Sequence, residues 1–161
     1  MPLAVTHILI PIILVDALRD HVIKKKNILS NKFVLLAGLA GLLPDIDLLI
    51  SLILGVNLHR TITHSIIVPL TFLFLFIVFL KKEKYSKIFL MLFIGFSFHI
   101  ILDVIFGEVY VLFPFSFGGY YINPNHFSNL FVQELYTMMD AILLFFWLIH
   151  EELEHKISDY F

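Results

Sequence analysis

The chain has 161 residues, of which 60% are hydrophobic and only 15% charged, with a mean hydropathy of +0.94 and a formal net charge of −2. That balance lies outside the range of soluble globular domains and indicates a membrane protein. The absence of cysteine excludes disulfides and thiolate metal sites, so any metal must be held by His, Asp, Glu and water.

Pro2 to Ile23 form the first apolar stretch, which ends in Lys24-Lys25-Lys26. No basic region precedes it and no small-residue cleavage site follows, so it reads as a retained helix rather than a secretory signal. Asp16, Arg19 and Asp20 stand at its far end, with the helical spacing for an Asp16–Arg19 pair. Further stretches run from Phe33 to Leu54, from Thr61 to Leu80, from Ile88 to about Phe106, and from about Phe131 to Ile149. Each approaches the roughly 20 residues that a helix needs to cross a hydrocarbon core of about 30 Å. None shows the period-2 alternation of barrel strands, and backbone groups in lipid must be satisfied within their own segment. The expected fold is therefore an all-α integral membrane protein, a bundle of five transmembrane helices forming one domain over residues 1–161.

The loops set the expected orientation. Lys24, Lys25, Lys26 and Lys32 lie between the first and second stretches, and Lys81, Lys82, Lys84 and Lys87 between the third and fourth. On the opposite side there is only Arg60, with no lysine or arginine between Gly107 and Asn129. The positive-inside rule then puts the N-terminus outside and the C-terminus in the cytoplasm. His21, His150 and His155 read as cytoplasmic surface residues, and His126 as a solvated loop residue. The loop from Gly107 to Asn129 carries Phe113-Pro114-Phe115-Ser116-Phe117-Gly118-Gly119-Tyr120-Tyr121 and reads as a cover at the outer interface, where tyrosine is favoured.

Counting about 1.5 Å per residue from the cytoplasmic lysines puts His7, Asp45, Asp47, His64, His99 and Asp103 roughly 18 to 25 Å up, in one layer near the outer face. On the fifth stretch Glu134 belongs to the same layer and Asp140 lies somewhat deeper. His99 and Asp103 are i, i+4 and share a helix face, as do Arg60 and His64. Asp45 and Asp47 are about 200° apart on an ideal helix and can converge only if the helix is irregular. Pro44 supplies the irregularity by removing a donor and clashing with the turn at Ala40, and Gly38 and Gly41 permit close helix contact nearby. Ionisable groups gathered in an apolar segment mark a functional site. Imidazole with carboxylate and no sulfur suits zinc, manganese or iron, as one or two divalent ions. A metal with an open position generates a nucleophile from water at neutral pH. Arg60 is placed for a substrate phosphate or carboxylate, and a carboxylate such as Asp45 or Glu134 for orienting or deprotonating water.

These residues carry a resemblance. His7, Leu43-Pro44-Asp45-Ile46-Asp47, His59-Arg60 with Thr63-His64-Ser65, His99 with Asp103, and Phe113-Pro114-Phe115 resemble the motifs of a family of LexA-binding, inner-membrane-associated metal-dependent hydrolases. The likeness spans positions 7 to about 115, with a weaker echo at Asp140, and Thr61 stands where the family pattern has Gly. It implies a LexA-type repressor as a partner, by family name alone. The order of the motifs is also distantly similar to zinc-dependent phospholipase C and its related nucleases. That similarity implies Asp103 as a bridging ligand, His99, Asp47 and His64 on one metal, and His7 on a second. The free amino terminus and later His and Glu ligands of those enzymes have no counterpart here unless His126 and Glu134 serve.

The combined expectation is a membrane-bound metal-dependent hydrolase acting on an ester or phosphoester, with lipid as a candidate substrate. Its metal ligands are drawn from His7, Asp47, His59, His64, His99, Asp103 and Asp140, and Asp45, Arg60 and Glu134 are its catalytic groups. The alternative is a transporter or metal-sensing membrane protein without hydrolytic chemistry. The lysine clusters serve as topology signals, and nucleic acid is not an expected partner.

Overall fold

The structure is a computed structural model and describes residues 4–23, 29–56, 59–122 and 130–154. Lys24, Lys25, Lys26, His126 and His155 lie outside the described residues. Regular structure among the described residues is helical, apart from one antiparallel bridge between Val109 and Tyr120. Helix α1 (Ala4–Ala17) runs on as a π-helical segment, Leu18–Ile23. Helix α2 (Asn31–Ala40) passes through a 3-10 turn at Leu43–Asp45 into α3 (Ile46–Leu54). Helices α4 (Ile67–Val78), α5 (Glu83–Phe106) and α6 (Leu130–Glu154) follow.

The break between α2 and α3 is local chemistry. Pro44 has no N–H for the ladder and its ring crowds the carbonyl four residues back, so α2 ends at Ala40 and the chain tightens into the 3-10 turn. Helix α3 then stops at Gly55, whose φ of 65° is the left-handed cap that a residue without Cβ adopts freely.

Helix α5 is the central element, packed on α1, α2 and α4, while α1 also packs on α2 and α6. Ile12, Val15, Leu29, Val34, Ala37 and Met91 form the apolar core where α1, α2 and α5 meet. The helices approach closely because glycine stands at the crossings. A Cβ on Gly95 would sit 2.6 Å from the Ala37 carbonyl oxygen, and one on Gly41 would collide with the backbone carbonyl of His7. Thr6 of α1 donates a hydrogen bond to Asp140 of α6, and Asp16 of α1 lies beside Glu151 of α6, so these two helices run in the same direction. Much of the outer surface is apolar, including Leu48, Leu52, Ile53, Phe74 and Phe145.

Among the described residues two units are long and apolar enough to cross a membrane, Asn31–Leu54 and Glu83–Phe106. The other three expected spans differ in form. The α-helical part of α1 is only 14 residues long. Helix α4 has 12 residues, about 18 Å, and starts at Ile67 rather than Thr61. The residues before it form turns tied by hydrogen bonds to Asp47 and to segment 107–122, and Arg60 among them adopts a left-handed backbone, φ 64°. Helix α6 has the length, but Glu134, Asp140, Glu151 and Glu152 are spread along it. Segment 107–122 folds back over the 59–66 turn. The Tyr110 N–H donates to the Arg60 carbonyl at 3.3 Å, the Ile66 N–H to Val111 at 2.9 Å, and the Ser65 hydroxyl to the Phe113 carbonyl at 2.6 Å.

Gly41→Ala forces α1 and α2 apart and is expected to destabilise the protein by about 1–3 kcal/mol, the range for overpacking a tight contact. Thermal unfolding in detergent measures it. A midpoint equal to that of the unsubstituted protein would contradict the close-approach role of this glycine.

Candidate metal centre

Four segments deliver side chains to one point. The first turn of α1 brings His7, the α2–α3 junction brings Asp45 and Asp47, the turn before α4 brings His59 and His64, and successive turns of α5 bring His99 and Asp103. His7, Asp47, His64, His99 and Asp103 are buried. The Asp45 side chain is 33% exposed, which puts it at the open edge of the cluster.

The two central imidazoles are fixed by what their Nδ1 atoms do. His99 Nδ1 lies 2.6 Å from the carbonyl oxygen of Gly41, an acceptor only, so this nitrogen carries the proton. His64 Nδ1 lies 3.1 Å from Asp47 Oδ2, which in turn favours the proton on that nitrogen. In these tautomers both Nε2 atoms present lone pairs, and they face each other at 3.0 Å. Two lone pairs at that distance repel unless a cation or a shared proton lies between them. Around them stand carboxylate oxygens: His64 Nε2 is 3.3 Å from Asp103 Oδ2 and 3.7 Å from Asp45 Oδ1, and His99 Nε2 is 3.7 Å and 3.6 Å from the same two atoms. Asp45 Oδ1 and both Asp103 oxygens are buried and accept no hydrogen bond from the described residues. Ligands bonded at about 2.0–2.1 Å in tetrahedral geometry lie about 3.3 Å from one another, so separations of 3.0–3.7 Å match four donors around one small ion. Asp45, His64, His99 and Asp103 thus fit a divalent metal in donor type, spacing and orphaned oxygens.

A second layer surrounds these four. Asp47 accepts from the Arg60 N–H at 2.9 Å and the Thr63 hydroxyl at 2.5 Å, while its other oxygen lies 2.8 Å from His59 Nδ1. It meets His64 on the Nδ1 side, away from the four converging atoms. The two aspartates therefore differ from the sequence expectation: Asp45 joins the cluster at the Nε2 atoms, and Asp47 orients His64. Asp47, His59 and His64 make a second possible ligand group on the far side of that imidazole. His7 stacks on His99 with ring centroids 4.2 Å apart and points Nε2 at Asp103 Oδ1, 3.3 Å away. The two oxygens of Asp103 thus face different imidazoles. Arg60 Nε lies 3.7 Å from Asp103 Oδ2, and its Nη1 donates to the Glu108 carbonyl at 2.8 Å.

Other expected residues lie apart from the four donors. Glu134 is exposed on α6 and belongs to no ligand group among the described residues. Asp140 is buried, yet its hydrogen bond is to Thr6, the neighbour of His7 in sequence. Sequence reasoning missed the Gly41 carbonyl and the Thr63 hydroxyl as orienting groups. Thr63 stands inside the quoted motif and could have been found there, whereas a backbone carbonyl leaves no trace in residue identity. His150, read as a surface residue, is exposed, and with Asp16 and Glu151 it forms a third possible ligand group.

No curated protein and no solved structure matches the chain. The family described as YdjM inner membrane protein matches residues 1–154, which include every residue of the cluster. The apolar units Asn31–Leu54 and Glu83–Phe106 agree with a membrane location, and the chain belongs to the YdjM inner membrane protein family.

Proposed function

We propose that this protein is a multi-pass membrane hydrolase in which Asp45, His64, His99 and Asp103 hold a divalent cation, zinc first among the candidates, and cleave a lipid phosphoester. The observation that carries the reading is the pair of opposed Nε2 atoms, each oriented by a partner on Nδ1. When bound, the ion supplies Lewis acidity and a nucleophilic water at neutral pH. Arg60, 14% exposed at the side chain, lies beside Asp103 and is the cation that would receive the phosphoryl oxygens. Asp45 stands at the open edge, where it also borders a groove of about 670 Å³ lined by Leu48, Leu49, Leu52, Gly55 and Val56. An apolar groove leading away from the one partly exposed carboxylate supports an acyl-bearing substrate entering from the bilayer.

The proposed topology has five spans with the N-terminus outside. The site residues come from the start of α1, the far half of the α2–α3 unit, the turn before α4 and the last turns of α5, so these elements alternate in direction. The parallel run of α1 and α6 agrees with both being outside-to-inside spans. Helix α4 is short for a span, so the bilayer would be locally thinned there or completed by the turns at either end. A second reading, cation transport, draws on the polar contacts along the α1–α6 interface, from Thr6 and Asp140 to Asp16 and Glu151.

Three outcomes are expected. Elemental analysis of purified protein finds a divalent metal that His99→Ala or Asp103→Ala strips, whereas Asp47→Ala weakens binding roughly 10- to 100-fold as an orienting partner does; unchanged content in the first two sinks the centre. Metal-loaded protein cleaves phospholipid in mixed micelles, and Arg60→Ala retains the metal while kcat/KM falls roughly 10- to 150-fold, the equivalent of about 1.5–3 kcal/mol. No turnover, with metal flux into proteoliposomes instead, would select the transport reading. Because the chain lacks cysteine, a single cysteine at Ser116 is expected to react with an impermeant thiol reagent from outside and one at Lys82 only after permeabilisation; the reverse pattern would invert the topology.

A further inference from the structure

The other end of α1 carries a second concentration of ligand atoms. Asp16, His150 and Glu151 each offer one atom within 4.8 Å of the others. Asp16 and Glu151 are buried, at 4% and 0% exposure. Glu151 follows Asp140 by three turns of α6, so one face of that helix meets α1 at both places. Asp16 comes nine residues after His7, about 14 Å along α1, which separates this group from the His64–His99–Asp103 centre.

The group borders a cavity of about 530 Å³ between α1 and α6. Asp16, Asp20 and Glu151 line it with His21 and His150, and no lysine or arginine does so among the described residues. The nearby guanidinium, Arg19, is engaged with Asp16, with Asp20 at 3.1 Å and with Asn31 at 2.7 Å. Among the described residues three carboxylates and one guanidinium meet here, a donor set rich in the oxygen ligands that divalent cations take. Two carboxylates and an imidazole suit manganese, iron or zinc, and the cavity leaves room for water to complete the coordination.

We propose that Asp16, His150 and Glu151 form a second divalent-cation site, independent of the centre at His64, His99 and Asp103. The test is chelator-stripped, full-length protein in detergent, back-titrated with Mn²⁺ and read by electron paramagnetic resonance. Glu151→Gln is expected to lose one ion relative to the unsubstituted protein, and His99→Ala to keep that ion. His150→Ala changes an exposed side chain and is expected to weaken the same ion about tenfold or more with the helical circular dichroism unchanged. Stoichiometry unchanged in Glu151→Gln, or affinity unchanged in His150→Ala, overturns the proposal. Failure of the first centre alone would appear as a single ion, insensitive to His99→Ala and lost in Glu151→Gln.

Discussion

The arrangement depends on two Nδ1 contacts, His99 to the Gly41 carbonyl and His64 to Asp47. Each turns a freely rotating imidazole into a directed one, and together they leave two Nε2 lone pairs opposed in a buried space. The rest of the local structure serves that constraint. Gly41 can present its carbonyl to α5 only because α2 ends there, and α2 ends there because Pro44 breaks the ladder. The same glycine lets α1 close on α2, which brings His7 onto the His99 ring. Pro44 thus sets the helix end, and Gly41 sets the helix crossing and the imidazole tautomer.

Arg60 shows the cost of the arrangement and what offsets it. A non-glycine residue at φ 64° is strained by about 1–3 kcal/mol. Its N–H donates to the Asp47 carboxylate and its carbonyl accepts from Tyr110, and a bond to a charged acceptor contributes about 1.5–3 kcal/mol. The strain buried in this turn therefore has a specific return: the chain reverses sharply enough for His59 and His64 both to reach Asp47. A regular helix from Thr61 would have carried His64 and Ser65 onto different faces and lost the contact between Ser65 and the overlying segment 107–122.

How much of this was legible in the sequence follows from the range of each signal. The i, i+4 spacing of His99 and Asp103 is a local rule, and both sit on one face of α5. Depth counting from the lysines gathers His7, Asp45, Asp47 and His64 because helical rise is nearly constant. It fails for Glu134, because height fixes no rotation about the helix axis, and Glu134 is exposed. Proline signals a break but not its form, so the 3-10 turn that sends Asp45 to one side of His64 and Asp47 to the other was not readable. The start of α4 was misjudged for a related reason. Apolar composition continues back to Thr61, while the hydrogen bonds that hold residues 59–66 in turns come from Asp47 and from segment 107–122.

Helix α1 is the element that joins the two polar regions of the molecule. It contributes His7 at one end and Asp16 with Arg19 at the other, and α6 follows it throughout, with Asp140 at Thr6 and Glu151 at Asp16. Between these points the buried residues of α1 are Leu9, Pro11, Ile12 and Val15, and all four are apolar. A continuous polar path along the helix would need side chains in that interval to pass a proton or an ion between the two ends, and α1 supplies none. The apolar interval therefore favours two separate sites on a shared scaffold over one conduit. In that arrangement the centre at α5 would carry the proposed chemistry, and the α1–α6 cluster places charged groups at the other end of the shared interface.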